Sequence, residues 1–295
     1  MGVFLALSSA ACYGVVDFAG GLLSRRAHFA IVTFVGQVGG LALAVVLAVS
    51  VPAEHVGSAD MLWGALSGLG SGLAMHFLNR GLSRGAMSIV IPISAVTGVA
   101  LSVLCGVCLL GDRPTALAWL GMCVTVPALW LVSRGDRGDR GGKPDGGNGP
   151  GPLPDAGVEV GPAVSDGLVA SAGVAVQYIG LAQAAPAAGL WPVPCGRVAA
   201  VAVLLPAAYR HREHFRQPVG LLAAAAVTGA GAAGGLALYL LAAQQQMLAL
   251  AVVLASLYPA IPTLLGLSVL HERATRAQAI GLLSAAAATV LLTLG

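Results

Sequence analysis

The sequence predicts an all-α integral membrane protein: ten transmembrane helices arranged as two inverted five-helix repeats. Three observations carry that expectation. Charged residues make up 9% and hydrophobic residues 57% of the 295, with a mean hydropathy of +0.87, whereas soluble domains carry about 25% charge. Apolar runs of span length recur along the chain, and its two halves match each other at a fixed offset.

A membrane-crossing helix needs about 20 mostly apolar residues. Segments of that kind run over 2–22, 29–51, 61–79, 86–111, 115–133, 167–187, 191–209, 218–241, 247–270 and 276–294. Met1 and Gly2 lead directly into the first run with no basic stretch and no small-residue cleavage site, so this segment reads as a retained helix. The runs are apolar on all sides, which excludes the two-residue alternation of a membrane β-barrel. Of the five cysteines, each falls within or at the start of an apolar run. An odd number so placed argues against a disulfide framework. Cys105 and Cys108 sit one turn apart without a histidine nearby and read as packing residues. No cofactor and no metal site is expected.

Between the fifth and sixth segments, residues 134–165 turn to Gly, Pro and alternating charge, the composition of a flexible linker. This gives three regions: a first repeat over 1–133, the linker over 134–165 and a second repeat over 166–295. A shift of 160 residues lays Met87 on Met247, Gly106 on Gly266, Asp112-Arg113 on Glu272-Arg273, Thr115 on Thr275 and Gly121 on Gly281. In the same register the ladder Gly64, Gly68, Gly72 matches Ala224, Thr228, Ala232, small strips that let helices approach closely in lipid. Five spans per half make the halves antiparallel. The basic residues agree, because equivalent loops carry opposite loading: Arg80 and Arg84 follow the third segment, whereas Gln244, Gln245 and Gln246 follow the eighth. Inverted repeats of this kind hold a substrate site near the midplane between the halves.

With these elements in place, the sequence resembles the EamA branch of the drug/metabolite transporter superfamily over both halves. The first segment carries Tyr13-Gly14-Val15-Val16-Asp17-Phe18, similar to a Trp-Gly-x-x-x-Phe pattern with Tyr in place of Trp. Glu272-Arg273-Ala274-Thr275 resembles the family's acidic turn, which the first half repeats as Asp112-Arg113-Pro114-Thr115. The resemblance implies a ten-helix carrier for small metabolites or drugs, often an exporter of amino acids or their derivatives, in the cell (inner) membrane. No enzyme is expected, because the segments contain no HExxH, GxSxG or clustered carboxylates. The rival from another class is a membrane-embedded enzyme, and a lipid flippase-like protein or a structural membrane subunit is a second alternative. Partners are then a small-molecule substrate and the lipid bilayer, with proton coupling possible, no nucleic acid, and a monomer or homodimer.

Candidate site residues follow from polarity inside apolar segments. Asp17 lies about five residues, or roughly 8 Å, inside the end of its segment. A carboxyl at that depth is a functional candidate by default, the alternative being an interfacial pair with Arg25 or Arg26. Tyr13 stands one turn earlier. His76 and Asn79 share a helix face, and Tyr239 matches Asn79 in the repeat register. Ser94 and Thr97 beside Pro92, and Ser256 and Tyr258 beside Pro259, place hydroxyls and helix breakers at comparable depths in the two halves. Gln177 and Tyr178 add polar groups on the sixth segment. Asp112 and Glu272 start helices and read as caps. The GAGAAG run from Gly229 fits a dinucleotide pattern literally but sits inside an apolar helix, where it serves packing. Few charges in the segments argue against a polyanionic substrate. For orientation, the positive-inside rule and the resemblance conflict. Of fifteen Lys and Arg, all but Arg113 and Arg197 (15 − 2 = 13) lie opposite the termini, which places the termini outside the cytoplasm, whereas the resemblance implies cytoplasmic termini. The charge count is preferred.

Overall fold

The computed structural model describes residues 2–85, 87–105, 115–134, 160–245, 260–270 and 276–294. They form helices α1 (Gly2–Arg26), α2 (Phe29–Ser50), α3 (Ser58–Arg84), α4 (Met87–Cys105), α5 (Ala116–Arg134), α6 (Val160–Gln183), α7 (Pro192–Arg210), α8 (Val219–Gln245), α9 (Ala260–Ser268) and α10 (Arg276–Leu294), with no strand among them. Six helices among the described residues are long and apolar enough to cross a membrane: α1, α2, α3, α6, α7 and α8. Large apolar side chains such as Val46, Leu62, Val126, Val227 and Leu283 point outward, as a lipid-facing surface requires.

Several helices outrun their apolar segments. The first was expected to end at 22 but continues to Arg26, and the third gains a turn or more at its C-terminal end, to Arg84. Val160–Ser165, expected to be linker, already belongs to α6. Hydropathy falls where charge begins, but a helix continues while its charges find partners. Asp166, almost fully buried on α6, accepts from Arg80 Nε at 3.0 and 3.1 Å and stands 3.6 Å from Arg84, so the polar ends of α3 and α6 stabilise each other. Arg25 similarly donates to the carbonyls of Leu82 and Gly85. At the opposite end, Asp60 in the first turn of α3 accepts from the N–H of Gly57 at 3.0 Å and of Ala185 at 2.8 Å. Pro192 opens α7 at the position where a missing N–H costs nothing.

The packing interleaves the two halves. α3 lies against α6 and α7, while α1 and α2 lie against α8, and α2 also meets α7. α5 and α10 pair with each other beside α4. The seams are backbone to backbone: the chain of Gly68 passes against Gly196, and that of Gly36 against Gly229, leaving no room for a Cβ at Gly68 or Gly229. The glycine-rich run at 229 is thus a packing surface within α8.

Candidate functional site

A small cavity with a mixed apolar and polar lining sits where α1, α2, α3, α7 and α8 converge. Its walls are Val16 and Gly20 of α1, Thr33, Gly36 and Gln37 of α2, Met75 and Asn79 of α3, Arg197 of α7, and Thr228 and Gly229 of α8. Helices of both halves therefore contribute. The volume is about 30 Å³, enough for a water or two and far below the roughly 300–1,000 Å³ of a small-molecule pocket.

Hydrogen bonds within and between helices hold the polar wall groups. Thr33 donates back to the carbonyl of Phe29 at 2.8 Å and accepts from Asn79 Nδ2 at 2.9 Å. Asn79 is buried, and its Oδ1 has no hydrogen-bond partner. Gly20 faces that oxygen, 3.4 Å from where a Cβ would stand. Thr228 donates to the carbonyl of Ala224 one turn back. The strongest feature is Arg197, 6% exposed, whose Nη1 donates to Gln37 Oε1 at 2.6 Å. Among the described residues no carboxylate pairs with it.

Arg197 and Gln37 were not singled out in the sequence. Arg197 stands five residues after Pro192 and counts there as a charge near a segment end. The available signal was the repeat itself: 37 and 197 differ by the same 160 residues that relate the halves.

The expected residues divide into several groups. Asp17 is 7% exposed. Because α1 continues to Arg26, Asp17 lies eight residues before Arg25, about 12 Å along the axis, deeper than the sequence indicated. Arg25 spends its guanidinium on Leu82 and Gly85, and among the described residues no ion pair joins Asp17 to Arg25 or Arg26. Tyr13 packs against the cluster of Ala44, Val193, Ala233 and Leu236. Tyr239 packs in the same cluster rather than lining the cavity opposite Asn79. His76 shares the α3 face with Asn79 but turns its ring edge to Phe29 (centroids 5.1 Å) and Phe77 (5.5 Å), with Nδ1 buried and without a partner. On α4, Ser94 is buried and Thr97 Oγ1 is buried without a partner, both away from the cavity walls. Gln177 lies on the α6 surface that α3 crosses at Gly70, and Tyr178 follows it in α6. Ser256, Tyr258, Asp112 and Glu272 lie outside the described residues.

Over the end of the bundle nearest Thr33, three imidazoles gather. His28, between α1 and α2, stacks on His211 at 4.1 Å and lies 4.6 Å from His214, both in the α7–α8 connection. Burial, reinforced by His211, His214 and His76, holds His28 below the usual imidazole range.

A bundle of helices, six of them among the described residues long and apolar enough to cross a membrane, is the architecture of a polytopic membrane protein. Residues 1–134 match the model of the EamA-like transporter family. No curated protein matches the chain. One solved chain, described only as the crystal structure of a protein, aligns over 99% of this chain and 96% of its own length, with TM-score 0.57 and 18% identity, a likeness of fold alone.

Proposed function

We propose that the protein is a secondary carrier of ten transmembrane helices in the cell inner membrane, exporting small metabolites or drugs by rocking two inverted repeats around the central cavity. The observation that carries this reading is the Gln37–Arg197 hydrogen bond, which joins positions 160 residues apart, the offset at which the two halves match in sequence. Contacts between positions i and i + 160 belong on the axis relating the repeats, where alternating access places the substrate site. The packing supports the same symmetry. Under exchange of the halves, α1 on α8 becomes α6 on α3, and α2 on α8 becomes α7 on α3; all four seams are present, and α2 on α7 maps onto itself.

Asp17 is the candidate coupling group, a carboxyl deep in α1 that gains or loses a proton as its exposure changes between states. The test is solute movement in proteoliposomes under a proton gradient, with Asp17→Asn beside the wild type. Gradient-driven accumulation that Asp17→Asn loses, while passive exchange persists, is the expected result. Lipid translocation without solute uptake would overturn the carrier, and wild-type accumulation by Asp17→Asn would remove proton coupling from this residue.

A further inference from the structure

We infer that Arg197 is the anion-recognition group of the cavity and that the ligand it takes is a small carboxylate carrying a hydrogen-bond donor. The inference rests on the carrier reading only for the word substrate; the site itself rests on geometry. A guanidinium offers five N–H donors. Among the described residues it makes one hydrogen bond, to Gln37, and no carboxylate neutralises the charge. A charge held in a membrane interior without a counter-ion is costly and is retained where it does work. The group is also deliberately housed. Gly40 stands opposite it, where a Cβ would come 3.5 Å from Cζ, and Gly36 and Gly229 thin the wall on the cavity side.

Asp17 is not the missing partner. It is on α1, a helix that gives the cavity Val16 and Gly20, and it makes no ion pair with Arg197. Arg197 lines the cavity, so an anion that pairs with it would be met there. A planar carboxylate suits a guanidinium because two parallel N–H···O bonds form at once. One fixed cation fits one such group and not a polyanion. The second unsatisfied atom in the cavity has the opposite preference. Asn79 Oδ1 is buried, accepts nothing and lines the same walls. It asks for a donor, so a ligand with an O–H or N–H beside its carboxylate satisfies both orphans.

Three small probes separate these contributions: lactate has the carboxylate and the hydroxyl, propionate has the carboxylate alone, and lactamide has the hydroxyl without charge. Binding to the purified full-length protein in nanodiscs of neutral lipid is read by thermal stabilisation and by titration of intrinsic tryptophan fluorescence. The expected order is lactate above propionate, with lactamide inert. Arg197→Gln should weaken lactate by at least about 10-fold, Arg197→Lys should retain part of the affinity, and Asn79→Leu should erase only the difference between lactate and propionate. Equal responses to lactate and lactamide in the wild type, a measurement that needs no variant to fold, would overturn the inference. So would an undiminished lactate response in Arg197→Gln. The carrier reading fails separately. Lactate binding that depends on Arg197 without movement of any solute leaves the site and removes the carrier, whereas solute transport at equal rates by wild type and Arg197→Gln leaves the carrier and removes the site.

Discussion

Replacing Gly173 with alanine tests whether the α3–α6 seam is set by backbone contact. A Cβ built there stands 2.6 Å from the carbonyl oxygen of Gly70 and 2.8 Å from the backbone nitrogen of Ala74. Ordinary Cβ contacts begin at 3.4 Å, so relief requires the helices to part by about 0.8 Å (3.4 − 2.6). Neither obstacle can rotate away. Overfilling a tight contact costs about 1–3 kcal/mol, while Gly to Ala within a helix returns at most about 1 kcal/mol. The net expectation is a loss of roughly 1–2 kcal/mol. Two positions calibrate the gain alone. Gly220 has nothing within 4 Å of its would-be Cβ, and Gly234 meets only Leu43 Cδ2 at 3.7 Å. Equilibrium unfolding of the four proteins should place Gly220→Ala and Gly234→Ala at or above the wild type and Gly173→Ala below it. Gly68→Ala, whose Cβ would enter the Gly196 backbone, should lose more still. A Gly173→Ala protein as stable as Gly220→Ala would refute the idea that backbone approach fixes this seam.

Three further outcomes are expected. Asp112→Asn and Glu272→Asn should each fold and transport within about twofold of wild type, because Asn caps a helix nearly as well as an acid; abolished transport by well-folded Glu272→Asn would give that residue a coupling role. His28 titrates below its ordinary value because it is buried beside His211, His214 and His76. The unfolded chain therefore takes up its proton first as pH falls, so the contribution of this cluster is present above about 6.5 and is lost as pH falls through the lower folded value. Thermal unfolding from neutral pH downward should show that decline in the wild type and a shallower one in His28→Gln. Fusions at Gly295 should give periplasmic phosphatase activity without fluorescence, as the distribution of Lys and Arg demands; cytoplasmic fluorescence would reverse the orientation.

Much of the helical plan was legible because hydrocarbon imposes a length and a polarity on every span. The boundaries were less so. Arg80, Arg84 and Asp166 look like helix ends when read singly, yet together they extend α3 and α6 through a pair 86 residues apart in sequence. The cavity was half legible. Asn79 and its neighbourhood follow from a polar residue inside an apolar run, but Tyr239, its partner in register, packs with apolar residues instead. Register shows which positions correspond, whereas packing decides which of them face the centre. Arg197 escaped notice for a different reason. It lies close to a segment end in sequence, and only the convergence of α7 on α2 turns it inward.

If the halves are the inverted repeats proposed above, the Gln37–Arg197 pair requires them to differ at their axis. A symmetric repeat would set two glutamines or two arginines against each other. Two buried arginines repel, and two glutamines leave the cavity without charge. Glutamine at 37 opposite arginine at 197 gives a single cation held by a neutral acceptor 2.6 Å away, and so leaves the charge available to a ligand. Replacing the acceptor with an acid of the same length removes that availability. Gln37→Glu keeps the geometry and supplies the carboxylate that Arg197 lacks, converting the hydrogen bond into an internal ion pair. The variant should fold at least as well as wild type, since it neutralises a buried charge in place, and should lose the lactate response entirely. Propionate should fail with it, because both probes depend on the same guanidinium. A Gln37→Glu protein that binds lactate as wild type does would show that Arg197 is not the group the carboxylate meets.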